Sequence, residues 1–203
     1  QRAIAWRLAK QCSTKNIPSG IWVDLGSGTG LLADAIEDLH PNKSVLRVDG
    51  SPKMLENRRY SSAAQMWDLN LGLPLWPQRP TLLASNFALH WLKDPGARLN
   101  EWFTSLAPRG WLAISVPIEG SFSQWHQAAT LAGVPCGAMP LPSEESLMDA
   151  LPNECIRHQK THYFTHKSSK VISLLKPMRE VGAHTSLMPP MGTASWRKLQ
   201  QAW

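Results

Sequence analysis

Apolar positions along the first 117 residues switch repeatedly between a continuous run and a helical spacing. Ile21-Trp22-Val23-Asp24-Leu25 is a short apolar run that breaks into glycines, which reads as a buried strand entering a loop. From Thr29 onward, Leu32, Ala35, Ile36 and Leu39 recur at the spacing of one helix face. Val45 to Asp49 reads as a second strand. Ser51-Pro52 then marks a helix start, with Ser as cap and Pro at the first position, and that helix carries Met54 and Leu55. Ala64 to Asp68 is a third strand and Leu82 to Asn86 a fourth. Asp94-Pro95 opens a helix with Leu99, Trp102, Phe103 and Leu106 on one face, stopped by Pro108 and Gly110. Trp111 to Val116 is a fifth strand, closed by Pro117. Strands alternating with helices predict an α/β fold, doubly wound, with a parallel sheet covered on both faces.

After Gly120 the pattern loosens. It predicts helices over 122–132, 143–151, 169–181 and 195–202, a strand over 156–164, and a loop over 187–192. Gln1 to Lys10 intersperses cations with apolar residues and reads as an amphipathic helix, without a signal peptide's continuous apolar stretch. Neither an internal repeat nor a low-complexity segment interrupts the 203 residues, a length that suits one domain with a sizeable core.

Composition narrows the classes. A 43% hydrophobic content belongs to a globular chain. No run of about 18 apolar residues occurs, so no membrane partner is expected. The three cysteines, Cys12, Cys136 and Cys155, are far apart and odd in number. They predict neither a disulfide framework nor a zinc cluster, no metal, and a reducing cytoplasm. The net charge of +6 favours acidic partners without choosing among them. Ten tryptophans predict an aromatic core, with a minority left for a pocket.

The candidate chemistry begins at Asp24-Leu25-Gly26-Ser27-Gly28-Thr29-Gly30. Glycines between a first strand and a helix let a nucleotide-like ligand approach the backbone, and the helix start presents free N–H groups. A dinucleotide fold requires Gly-x-Gly-x-x-Gly, and Leu31 occupies the place of its third glycine. No Lys followed by Ser or Thr comes after the glycines, which excludes a P-loop. The spacing Asp-x-Gly-x-Gly-x-Gly instead resembles that of class I methyltransferases, which use S-adenosylmethionine. Asp49, at the end of the second strand, is placed to accept both ribose hydroxyls of an adenosine. Asp68 is expected near the adenine amine, and Ser85 and Asn86 stand at the carboxyl edge of the fourth strand. Gly50, Met54 and Leu69, beside these acids, complete the expected cofactor-binding set.

The segment after the fourth strand bears on the acceptor. It reads Ser85-Asn86-Phe87-Ala88-Leu89-His90-Trp91, without the proline pair common in amino-methylating nucleic-acid enzymes. Pro135-Cys136 resembles the nucleophile of cytosine C5 enzymes, but it lies well past the fifth strand and reads as a loop or lid.

Ser85 to Trp91, followed by Gly110-Trp111-Leu112-Ala113, resembles the malonyl-acyl-carrier-protein O-methyltransferases of biotin synthesis. Gly120-Ser121-Phe122 with Trp125-His126-Gln127-Ala128, Leu175 to Ala183, and Leu199 to Trp203 look similar to later segments of that family. The resemblance implies a Rossmann-like class I methyltransferase sheet with a helical lid at about 118–150 and 167–195, in one domain. It also implies truncation at both ends, with the sheet's last strand lacking. The implied reaction esterifies the free carboxylate of malonyl-acyl carrier protein, or of malonyl-CoA, with S-adenosylmethionine as cofactor. A carboxylate is ionised at neutral pH, so positioning and water exclusion suffice and no catalytic base is expected. His90 and His126 are then packing or positioning groups. Arg179 is the first choice for gripping the substrate carboxylate and Lys176 the second. Trp91, Phe122 and Trp125 are candidates for the substrate pocket wall. Arg157, Lys160, Lys167 and Lys170 are candidates for docking an acidic carrier protein, to a monomer that binds no nucleic acid. The alternatives are a methyltransferase for a free acid of the trans-aconitate type, an RNA methyltransferase, and a fold that binds cofactor without turnover.

Overall fold

Five of the apolar runs become five parallel strands in the computed structural model, which describes residues 1–56, 63–136, 138–165, 167, 173 and 191–203. Residues 1–117 with 142–156 form one unit, and residues 118–141 with 157–203 a second.

The first unit opens with α1 (Arg2–Ser13), followed by β1 (Trp22–Leu25), α2 (Leu31–Leu39) and β2 (Val45–Asp49). Then come α3 (Pro52–Glu56), β3 (Ala64–Met66), β4 (Leu82–Asn86), α4 (Pro95–Thr104) and β5 (Trp111–Ser115). The strand order is β3-β2-β1-β4-β5. β1 is central: Trp22 stands level with Val45 of β2 on one side and Leu82 of β4 on the other. All four residues of β1 are buried, as expected of a parallel strand covered on both faces. Because β2 and β3 extend one way from β1 while β4 and β5 extend the other, right-handed crossovers place α2 and α4 on opposite faces. Ala5, Ala9 and Cys12 of α1 pack with Leu32, Ala35 and Ile36 of α2 over Trp22, Val45 and Leu82.

The helices expected to begin at Asp94-Pro95 and at Ser143 do begin there, each on a side-chain cap. Asp94 accepts from the Ala97 amide at 2.9 Å and starts α4. Ser143 accepts from the Ser146 amide at 3.0 Å and starts α6 (Glu144–Asp149), which packs on α4. Two strands end earlier than expected. β3 stops at Met66, because the Asp68 side chain turns to cap the short 3-10 turn Leu69–Leu71. β5 stops at Ser115.

In the second unit, α5 (Ser123–Ala132) packs against α7 (Thr193–Ala202) around Ala128, Ala129 and Leu199. Phe122 was expected inside α5 but stands before it as the cap, with φ +59°. The strand expected over 156–164 is not formed. Residues 157–165 are exposed and irregular, since Arg157, His158, Gln159, Lys160, Thr161 and His162 supply polar groups at both faces of any alternation. A strand with no apolar face has nothing to bury against a partner. The helix expected over 169–181, except Ser173, and all of the 187–192 loop except Met191 and Gly192, lie outside the described residues.

Candidate functional site

The strand order reverses between β1 and β4, and open parallel sheets bind ligands at the carboxyl ends of the strands flanking such a reversal. The loop from Gly26 to Gly30 begins there. Gly26, Gly28 and Gly30 have φ of +65°, +55° and +88°, a region that side chains disfavour. Gly26 is required a second time: a Cβ there would lie 2.2 Å from the Ala88 methyl, just past β4. Gly28 has the opposite surroundings. No atom lies within 4 Å of the position its Cβ would take, so a ligand can rest against the backbone.

β2 fixes the loop. The amides of Gly26 and Ser27 both donate to the Val48 carbonyl, at 2.8 and 3.0 Å. The Gly28 amide donates to Asp49 Oδ2 at 2.8 Å, and the Ser51 amide donates to Asp49 Oδ1 at 2.8 Å. Each carboxylate oxygen accepts one of these bonds and retains a second lone pair for a ligand hydroxyl. Asp49 thus joins the loop and remains able to hold a ribose.

Asp24 lies behind the loop, 1% exposed. Its Oδ2 accepts from the Ala33 amide at 3.1 Å, in the first turn of α2, while Oδ1 has no hydrogen-bond partner. Desolvation pushes this carboxyl up to about 7, opposed by the Ala33 bond and by the positive charge of Arg47. The buried Ser27 hydroxyl is unpartnered too. Two orphaned polar atoms, an open glycine and a carboxylate with spare acceptor capacity suit a ligand that carries an ammonium group and a ribose, as S-adenosylmethionine does.

The remaining expected cofactor residues are placed as follows. Gly50 follows Asp49, and Met54 lies in α3, its amide near the Ser51 hydroxyl at 3.4 Å. Asp68 accepts from the Asn70 amide at 2.9 Å, and Leu69 is buried beside it. Ser85 and Asn86 end β4, but their side chains are engaged internally. The Ser85 hydroxyl donates to the Leu25 carbonyl at 2.8 Å, and the Ser115 hydroxyl donates to Asn86 Oδ1 at 2.6 Å. They tie the ends of β1, β4 and β5 together.

Past β4, the His90 ring meets Phe87 edge-on at 6.4 Å and lies 5.0 Å from Trp91. Burial pushes its imidazole down to about 4, so it is neutral at pH 7 and a weak base. Trp91 belongs to the first unit. Phe122 and Trp125 belong to the second, where Trp125 packs on the Ala128–Ala129–Leu199 cluster. Arg179 and Lys176 lie outside the described residues, as does Lys170. Among the described residues no group of three or more His, Cys, Asp or Glu is placed to hold a metal ion, and no helix is long and apolar enough to cross a membrane.

Two features escaped sequence reasoning. Arg2 and Trp6 of α1 line a cleft of about 580 Å³ that borders the loop at Thr29 and continues along Leu31, Asp34 and Asp38. Arg47, inside β2, is completely buried. Its only sequence signal was a charge in an apolar run, and its partners lie on a different element.

A parallel sheet of this order, with the glycine loop after its central strand and an acid after the next, defines a Rossmann-like methyltransferase fold. The chain belongs to the methyltransferase domain family, which matches residues 1–173, and S-adenosylmethionine is the cofactor of that family. Among solved structures, it is similar to a methyltransferase from Thermotoga maritima described as S-adenosylmethionine-dependent (TM-score 0.52, 23% identity, covering 73% of this chain and 69% of that one). It is similar also to a chain of the complex between the Haloferax volcanii Trm112 methyltransferase activator and a methyltransferase (TM-score 0.51, 24% identity, covering 73% and 69%). Both likenesses concern the fold. Among curated relatives, trans-aconitate 2-methyltransferase of Mycobacterium tuberculosis (strain ATCC 25177 / H37Ra) is 33% identical over 113 residues, 54% of this chain but only 41% of that enzyme. Malonyl-[acyl-carrier protein] O-methyltransferase of Hahella chejuensis is 27% identical over 202 residues, 93% of this chain and 70% of that enzyme.

Proposed function

We propose that this methyltransferase esterifies a carboxylate, and that its acceptor is the malonyl group carried by an acyl carrier protein. The observation that carries the carboxylate reading is the state of the polar groups around the loop. Asp49 and Asn86 are already hydrogen-bonded, Ser85 is bound to a backbone carbonyl, and His90 is a weak base. A hydroxyl or ammonium acceptor must lose a proton, which asks for a base. A carboxylate enters ionised and asks only for alignment with the methyl group and for a dry site. When bound, S-adenosylmethionine supplies an activated methyl on a positively charged sulfur. The protein's contribution is to hold the ribose at Asp49, leave room over Gly28, and present the acceptor oxygen in line.

Both relatives support an acid acceptor, since trans-aconitate and the malonyl group each carry carboxylates. The malonyl enzyme aligns along nearly the whole chain and the trans-aconitate enzyme along about half, which favours the malonyl reading. Arg179, with Lys176 as the second cation, is the proposed anchor for the acceptor carboxylate. The exposed cations Arg157, Lys160 and Lys167 are proposed to steer an acidic carrier protein. The test is methyl transfer from labelled cofactor to malonyl carrier protein, malonyl-CoA, trans-aconitate and RNA, side by side. Fastest labelling of the malonyl carrier is expected. Label on trans-aconitate but not on the thioesters would replace the acceptor, and label on RNA alone would overturn the carboxylate reading.

A further inference from the structure

Arg47 is an anomaly in β2: a guanidinium with 0% exposure in a strand whose other inward residues, Val45 and Val48, are apolar. Its Nη2 meets Asp34 Oδ1 at 2.6 Å and Glu37 Oε2 at 2.7 Å, and its Nη1 meets Glu37 Oε1 at 3.1 Å. Asp34 and Glu37 are three residues apart on α2, so one face of that helix is clamped from below. Glu37 Oε1 also accepts from the Val45 amide at 2.8 Å, which pins α2 to the first residue of β2. The remaining donor, Nε, is buried without a partner and faces Gly30, where an added Cβ would lie 2.9 Å from it.

These contacts form a series along one strand. Val45 and Arg47 hold α2 through Glu37 and Asp34. Arg47 closes against Gly30, Val48 holds Gly26 and Ser27, and Asp49 holds Gly28. We propose that Arg47 is a positioning residue for the methyl donor: it touches no ligand, but through Asp34, Glu37 and Gly30 it sets the height of the loop and of the α2 start, and so the affinity for the cofactor. The inference rests on the loop being the cofactor site. A buried ion pair is a poor source of net stability, because desolvation offsets the attraction, and apolar replacements of whole buried pairs are often neutral or stabilising. Its orienting role is therefore separable from its contribution to stability.

Two variants make the test. Arg47→Lys keeps the charge and loses the fork that reaches two carboxylates. Arg47→Met with Asp34→Asn and Glu37→Gln removes the charged set together and leaves no buried ion unpaired. S-adenosylhomocysteine dissociation constants, the acceptor Michaelis constant and the melting temperature are measured for each. A shift of the loop away from its productive geometry predicts cofactor affinity weakened about tenfold in the triple variant and less in Arg47→Lys, with the acceptor constant within about twofold. A purely structural role would move the melting temperature and leave the dissociation constant in place. That result in either folded variant overturns the inference. Should the triple variant fail to fold, Arg47→Lys decides, and Glu37→Gln, at the partly exposed end of the set, provides a third, gentler step. Gly28→Val is the control. If its side chain, placed in the open space, leaves cofactor affinity unchanged, the loop is not the cofactor site and both readings fall. If it weakens binding while the Arg47 variants do not, only the Arg47 inference falls.

Discussion

The segment from Asp24 to Asp49 and the second unit solve different problems with different materials. Asp24 to Asp49 is built from backbone: three glycines in the left-handed region, amides donating to Val48 and Asp49, and a carboxyl sealed behind them. The second unit is built from side chains, with two helices meeting over Ala128, Ala129 and Leu199 and tryptophans around them. Backbone geometry tolerates few residue types, so it leaves a spacing that any reader of the sequence can find. Side-chain packing tolerates many solutions and leaves a weaker trace. The loop is accordingly visible in the sequence as a spacing, and the packing of the second unit is not.

The sharpest way to break this contrast is Gly26→Val. The residue would require a left-handed backbone and push a side chain into Ala88. Backbone strain and overpacking together predict about 3 kcal/mol of lost stability, read by denaturant unfolding, and loss of cofactor binding. A folded variant with normal affinity would mean that the loop yields where it is drawn as fixed. Asp49→Ala comes next. Losing hydrogen bonds to a charged acceptor predicts cofactor affinity weaker by about 10- to 100-fold, by calorimetric titration. Arg179→Ala sharpens the other half: the acceptor Michaelis constant rises about tenfold while cofactor affinity stays level. Movement of both constants together would put Arg179 among the groups that hold the donor.

A pH-dependent effect concerns Asp24. Burial raises its folded-state carboxyl from 3.8 to about 7, so the folded chain holds a proton that the unfolded chain releases. Stability from this group is full below about pH 4 and is lost as pH rises through about 7. Asp24→Asn keeps the neutral shape and removes this contribution. Urea unfolding at pH 5 and pH 8 is therefore expected to differ less in the variant than in the parent. An equal difference in both would place the titration elsewhere.

The sequence made legible what repeats at short range. β1, the loop, α2, β2 and its terminal Asp49 lie where the periodicity and spacing put them, and helices start at Asp94-Pro95 and Ser143 as expected. What the sequence hid depends on partners distant along the chain. Arg47 is only a charge in an apolar run until Asp34 and Glu37 are brought over it. Ser85 and Asn86 stand at the end of β4 as read, but their bonds to Leu25 and Ser115 have no sign in the sequence. Residues 156–164 contain Ile156, Tyr163 and Phe164, enough to suggest a strand, but the polar stretch between them gives a sheet nothing to cover.

The most direct test of the central claim is the chemical lability of the transferred methyl group. After reaction with malonyl carrier protein and labelled S-adenosylmethionine, the product is treated with alkali. Carboxyl methylation predicts that complete hydrolysis in alkali releases the label as volatile methanol, whether the methyl ester or the thioester opens first. Label that stays non-volatile, on the carrier or in a released acid, would show methylation of nitrogen or carbon and would contradict the account.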